Sequence, residues 1–405
     1  MPESTQPEST PKSFVPAAAG VFLLAVCLRP AITSVGPVLE RIGLEENLGE
    51  GAQGVLGAIP LLAFAAISPF VHRLAGRTGM ERTVVLSLVV LGLGTLVRSW
   101  SGPGQMTLWL GTAVVGAAIA VGNVLGPALV KRDYAGRVSG AMGVYTAFIT
   151  GAAATASLVA VPLANVSNWR TALAVWAVPS FLAAVLWLPR ARAAARPVPV
   201  SPGSAETATN VWKWPTAWLV TAYMGLQSTT FYITITWLPS IETEHGVSPE
   251  VAGVHLFIAS AAGIIGGLLV PFLMRGRSQV LAAVAAAVPV IIWSFGVLFA
   301  PSLFLLWAVC SGIGTGAALV VALALISLRG RSQHETTRLS GMAQSLGYLL
   351  ATAGPIAAGF LTEHTGNWDA AVIMVAGIAT VQILVALKAG QPPKASLTKP
   401  AVVPG

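Results

Sequence analysis

The sequence predicts an all-α membrane protein: twelve transmembrane helices in two parallel six-helix repeats, with both termini cytoplasmic. Three observations predict it. Apolar runs of 20 or more residues recur along a 405-residue chain that is 55% apolar and only 9% charged, against about a quarter charged in a soluble domain. Basic residues fall on alternate sides of those runs, and sequence anchors recur about 200 residues apart. A mean hydropathy of +0.76 fits the same class.

The runs occupy residues 15–39, 51–72, 82–100, 105–130, 138–163, 169–189, 214–240, 248–274, 279–300, 302–328, 337–362 and 369–388. Each is long enough to cross the hydrocarbon at 1.5 Å per residue, and each must be helical because an open strand or coil would leave amides unpaired in lipid. The first follows a polar stretch with one basic residue, Lys12, and is longer than a signal-peptide core, so it reads as a retained span. Pro60, Pro127, Pro162 and Pro355 lie inside runs and read as bends.

Orientation follows from lysine and arginine. With the N-terminus inside, nineteen of the 23 basic residues fall on the cytoplasmic side, in clusters such as Arg73-Arg77-Arg82, Lys131-Arg132-Arg137 and Arg329-Arg331-Arg338. Only Arg41, Arg98 and Arg170 fall outside, beside acidic outer loops carrying Glu40, Glu45, Glu46 and Glu50, and Glu242, Glu244 and Glu250. One missed span would invert this pattern halfway.

The longest internal polar segment, 190–213, is rich in proline and arginine and has the composition of a linker. It divides the chain into a cytoplasmic tail (1–14), an N-terminal bundle (15–189), the linker, a C-terminal bundle (214–388) and a second cytoplasmic tail (389–405). The bundles share anchors: Pro37 with Pro239, Pro69-Phe70 with Pro271-Phe272, Ser139-Gly140 with Ser340-Gly341, and Asn168-Trp169 with Asn367-Trp368. Parallel repeats of this kind hold a transport substrate between the halves near the midplane.

Arg29 is the most informative residue. It sits near the middle of the first run, where burial of an arginine costs on the order of 2.5–3.5 kcal/mol and calls for a partner. All fifteen acidic residues fall in loops, tails or span edges, so no protein anion is expected at its depth. Helix carbonyls and polar side chains alone would make it a cohesive element of the bundle. Facing a cavity, it would offer a planar, bidentate fork to an anionic or strongly polarised substrate. Asn123, Tyr145, Gln227, Tyr232, Gln344 and Tyr348 are uncharged hydrogen-bonding groups around that depth, suited to a ligand or to interhelical bonding. Gln344 and Tyr348, four apart, share one helix face. Phe231 and Trp237 add aromatic walls or packing anchors. His255, in the outer third of its span, is a structural residue or a proton relay. Glycines such as Gly122, Gly126, Gly136, Gly140, Gly312, Gly314 and Gly316 suit close helix approach at the interface between halves.

Other classes find no support in the residues. The basic clusters are scattered between apolar runs, which argues against nucleic-acid binding. Cys27 and Cys310 both lie in apolar runs, no phosphate loop or metal-ligand spacing occurs, and neither an enzyme constellation nor a cofactor is expected.

The motifs resemble the major facilitator superfamily and, within it, the cyanate permease and nitroimidazole transporter family. The resemblance rests on Leu28-Arg29-Pro30-Ala31-Ile32-Thr33-Ser34-Val35-Gly36-Pro37, on Gly122-Asn123-Val124-Leu125-Gly126-Pro127, and on Gly143-Val144-Tyr145. It continues through Gly225-Leu226-Gln227-Ser228, Phe231-Tyr232, Trp237-Leu238-Pro239 and Met342-Ala343-Gln344 with Gly347-Tyr348. His72 and Arg73 stand ahead of Gly76-Arg77 where the superfamily usually carries an aspartate, a departure from its acidic latch between spans 2 and 3. The resemblance implies secondary transport of a small polar or anionic solute across the inner membrane. Expected partners are that solute, the lipid bilayer and a co-transported proton, with no nucleic acid and a monomeric chain. Efflux of small drugs or metabolites is the alternative, weakened by the expected lack of an intramembrane carboxylate.

Overall fold

The computed structural model describes residues 20–102, 104–134, 138–194, 211–275, 278–330 and 333–391. The first tail, the second tail from residue 392 onward, most of the 190–213 linker, and Arg137, Arg277 and Arg331 of the basic clusters lie outside the described residues, as does Gly136. Within them the chain is helical and contains no strand.

The first span is broken. It forms α1 (Gly20–Cys27), α2 (Pro30–Thr33), a 3-10 turn (Gly36–Val38) and α3 (Leu39–Glu46), where the sequence reading treats it as one helix. The physical cause is local. Pro30 lacks an N–H and disfavours helical geometry in the residue before it, and Pro37 repeats the effect about two turns later. Leu28 and Arg29 are thus left between α1 and α2, and the Arg29 carbonyl is taken by the amides of Ile32 and Thr33 at 2.9 and 3.0 Å. Irregular backbone at this depth is tolerated where it is enclosed by protein or lines a cavity.

Long helices follow: α4 (Glu50–Thr78), α5 (Met80–Arg98), α6 (Met106–Asp133) and α7 (Val138–Val166). The sixth span is split at Val175-Trp176 into α8 (Trp169–Ala174) and α9 (Ala177–Ala193). The second half contains α10 (Pro215–Glu244), α11 (Pro249–Leu273), α12 (Val280–Phe299), α13 (Phe304–Arg329), α14 (Gln333–Thr365) and α15 (Asp369–Ala389).

Among the described residues, eleven segments are long and apolar enough to cross a membrane, and α10 is not one of them. Its buried face is rich in threonine, which lowers its hydropathy. Those hydroxyls are satisfied along the helix itself: Thr229 donates to the Gly225 carbonyl (2.8 Å) and Thr234 to that of Thr230 (3.0 Å). The outer surface is the reverse of a soluble protein's, with Leu86, Leu93, Leu268, Phe272, Phe295 and Phe299 exposed, as lipid contact requires.

Small residues set the packing. A Cβ on Gly312 would strike the Ala259 carbonyl, and one on Gly316 that of Gly263, so α13 lies directly on α11. These glycines act inside the second half, whereas the sequence reading placed them between halves. The inter-half contacts use other glycines. Gly36 meets the Ile235 carbonyl, Gly54 that of Pro355, and Gly359 that of Glu50, bringing the broken first span onto α10 and α4 onto α14. Gly312→Leu is expected to destabilise by about 1–3 kcal/mol through overpacking, read as a lowered Tm. Gly377→Leu, where a Cβ meets open space, is the matched control and should change Tm little.

Charge pairs mark the two ends. At the basic end Arg132 pairs with Glu81 and Arg190 with Asp133, both at 2.7 Å, so the first half does hold an ionic tie there, built from Glu81 and Asp133. At the acidic end the halves are bonded to each other: Asn165 Nδ2 donates to Glu250 at 2.8 Å, and the Gly51 amide to Glu363 at 3.0 Å.

Candidate functional site

The unwound turn between α1 and α2 delivers Arg29 to the second half. Its Nη1 donates to the Tyr232 hydroxyl of α10 at 3.0 Å. The guanidinium carbon lies 5.7 Å from the Phe231 ring centre and 6.0 Å from that of Tyr232, within cation–π range. The offset relating Pro37 to Pro239 makes Phe231 the sequence counterpart of Arg29.

Aromatic rings extend the cluster. Tyr232 and Tyr348 of α14 are edge-on at 6.4 Å, Phe231 and Tyr232 at 5.1 Å, and Phe64 of α4 closes on Tyr348 at 5.6 Å. Phe64 is not singled out by the sequence, since an isolated phenylalanine in an apolar run carries no distinguishing signal. Tyr145 is buried and, with Tyr348, lies within electrostatic range of the guanidinium. The Tyr145 hydroxyl, packed on Gly126, and the Nδ2 of Asn123 have no hydrogen-bond partner.

No carboxylate pairs with Arg29 among the described residues; its bonded side-chain partner is the neutral Tyr232 hydroxyl. An arginine has five N–H donors, and a phenol that accepts one still has its own proton to donate. The cluster therefore presents spare donors and one positive charge, framed by ring faces. That is a set suited to a planar or anionic ligand.

Other residues named from sequence make their hydrogen bonds outside this cluster. Gln227 is buried and donates to the Ser228 hydroxyl at 2.7 Å, and Gln344 to the Ser340 hydroxyl at 2.8 Å. The Trp237 indole donates to the Pro355 carbonyl at 3.0 Å and packs on Trp368, so its polar atom is committed. His255 is joined through Nδ1 to Glu242 Oε2 at 2.7 Å, away from the contacts that Arg29 makes.

Two charged residues take places that the sequence reading did not foresee. Glu242 is assigned there to an outer loop, yet it lies within α10, fully buried, with Oε1 unpartnered. Arg98, assigned to the outside, ends α5 with only 2% exposure and donates through Nη1 to the Ala31 carbonyl at 2.6 Å. Both sit near a span end, where a long charged side chain normally reaches for water.

Comparison with known proteins places the architecture. The model of the Major Facilitator Superfamily matches residues 21–303. The chain is 37% identical to the 2-nitroimidazole transporter of Escherichia coli (strain K12) over 92% of this chain and 95% of that protein. It is 26% identical to the cyanate transport protein CynX of the same organism, over 90% of this chain and 95% of that one. A crystal structure of a point mutant of the nucleoside transporter NupG superposes with a TM-score of 0.74, covering 92% of this chain and 99% of that chain at 12% identity, a likeness of fold. Because the family model spans most of the chain and these relatives are matched nearly end to end, the chain belongs to the Major Facilitator Superfamily, as a multi-pass inner-membrane transporter of small solutes and not an enzyme.

Proposed function

We propose that this transporter moves a small anionic or polar planar solute, of the cyanate-like anion or nitro-heterocycle class, by alternating access around Arg29. The observation that carries the reading is the guanidinium held across the two halves by the neutral Tyr232 hydroxyl, with no carboxylate among the described residues to neutralise it. Two relatives are named for solutes of these classes. In this reading Arg29 binds the anionic or nitro oxygens and Phe231, Tyr232 and Tyr348 flank the plane of the solute. Asn123 and Tyr145 supply hydrogen bonds from the first half. Gln227 and Gln344 lie one to two turns nearer the basic end on α10 and α14 and form the approach. Trp237 stiffens the α10–α14 wall. The α10 helix counts as the twelfth span, its polar face turned to the solute path.

Alternating access is supported by the distribution of contacts. The glycine contacts of α4 with α14 and the Asn165–Glu250 bond join the halves at the acidic end, while Gly143 and Gly341, near the basic ends of α7 and α14, border open space. A thermal-shift series on purified protein with cyanate, small carboxylates and nitro-heterocycles tests the site. At least one ligand should raise Tm by mass action, the shift should vanish in Arg29→Gln, and Tyr232→Phe should weaken binding by about 1–3 kcal/mol through an unpaired donor. An undiminished shift in Arg29→Gln would overturn the site.

A second reading concerns coupling. The buried Glu242–His255 pair favours a proton carried with or against the solute. Proton-driven accumulation in vesicles should then be lost in Glu242→Gln while solute binding persists. Accumulation unaffected by that substitution would exclude the pair as the carrier.

A further inference from the structure

A second arginine lies beyond Arg29 toward the acidic end. Arg98 is 2% exposed, and only its Nη1 has a partner, the neutral Ala31 carbonyl at 2.6 Å. Its Nε and Nη2 are buried without a hydrogen-bond partner, and no ion pair among the described residues includes it. A buried charge normally acquires a counter-charge. Here α6 approaches so closely at Gly111 that a Cβ there would strike the Arg98 backbone, and the side chain is turned inward onto the broken first span.

Arg98 lines a small cavity whose wall comes from both halves: Ala31, Ile32 and Thr112 from the first, Ile235 and Thr236 from the second. The free space, about 20 Å³, is of the order of one small ion and is too small for a heterocycle. We propose that this cavity is a second anion site that takes one small monovalent anion of halide size on Arg98. The ligand would neutralise the buried guanidinium and touch both halves only while they are joined at the acidic end, so its occupancy favours that closed arrangement. The inference stands on Arg98 and the cavity alone and does not require the solute reading of Arg29.

The test compares purified full-length protein in chloride and in gluconate at equal ionic strength. Chloride should raise Tm saturably, by linkage to the folded, closed state. The rise should persist in Arg29→Gln, which separates this site from the solute site, and be lost in Arg98→Gln. A wild-type Tm indifferent to chloride, or a rise retained in Arg98→Gln, would overturn the proposal. Because Arg98→Gln can itself alter folding, the unaltered protein crystallised in sodium bromide supplies an independent reading. An anomalous bromide peak against the Arg98 guanidinium supports the site. A guanidinium solvated there by water alone would refute it.

Discussion

Replacing Arg29 with Ala is expected to abolish solute binding and transport while leaving expression and Tm near those of the unaltered protein. The two halves of that expectation have one cause. Arg29 has no carboxylate partner among the described residues, so its removal strands no buried anion and frees only the Tyr232 hydroxyl. A bound anion, in contrast, would lose a charge-assisted partner in an enclosed site, an effect of about 2–5 kcal/mol, or roughly 30- to 5000-fold in affinity. Arg29→Lys should keep the charge and lose the planar fork that lies near the Phe231 ring, retaining partial binding. Isothermal titration with a ligand from the thermal-shift series checks both variants. Wild-type affinity in Arg29→Ala would contradict the assignment.

The second large effect concerns the seam between halves. At Gly54 a Cβ would strike the Pro355 carbonyl and come within 3.1 Å of the Ile356 Cα. A leucine cannot be accommodated there unless α4 and α14 separate. Overpacking by about 1–3 kcal/mol, set against two conformations separated by a few kcal/mol, would shift their ratio roughly 5- to 150-fold. Gly54→Leu should therefore hold the acidic end apart and reduce transport at least tenfold without unfolding the protein. Spin labels placed on α4 and α14 near Glu50 and Glu363 should report a longer distance in the variant. An unchanged distance with unchanged transport would show that this seam does not govern access.

Much of the fold was legible because membrane insertion imposes it. Apolar runs, alternating basic loops and a repeated set of anchors are global patterns, and each constrains the others. The repeat also bears on the centre of the cluster, since it makes Phe231 the counterpart of Arg29. What escaped sequence reading depends on tertiary detail. Pro30 signals a bend, but the close seating of the broken span on α10, where Gly36 meets the Ile235 carbonyl, is set by tertiary packing. Arg98 and Glu242 lie where snorkelling to water is the usual outcome, and only the packing of α6 on α5, and of α11 on α10, turns them inward. Trp237 had the composition of a site residue, yet its indole is committed to a carbonyl 118 positions away, a pairing that no local pattern announces.

The central claim, that a solute crosses between the halves on Arg29, is tested most directly by counterflow in proteoliposomes. Vesicles loaded with unlabelled cyanate or 2-nitroimidazole and diluted into a trace of the labelled compound should take up label transiently with the unaltered protein. Arg29→Gln, at equal reconstituted amount, should not exceed empty vesicles. Counterflow by Arg29→Gln at the rate of the unaltered protein would contradict the account.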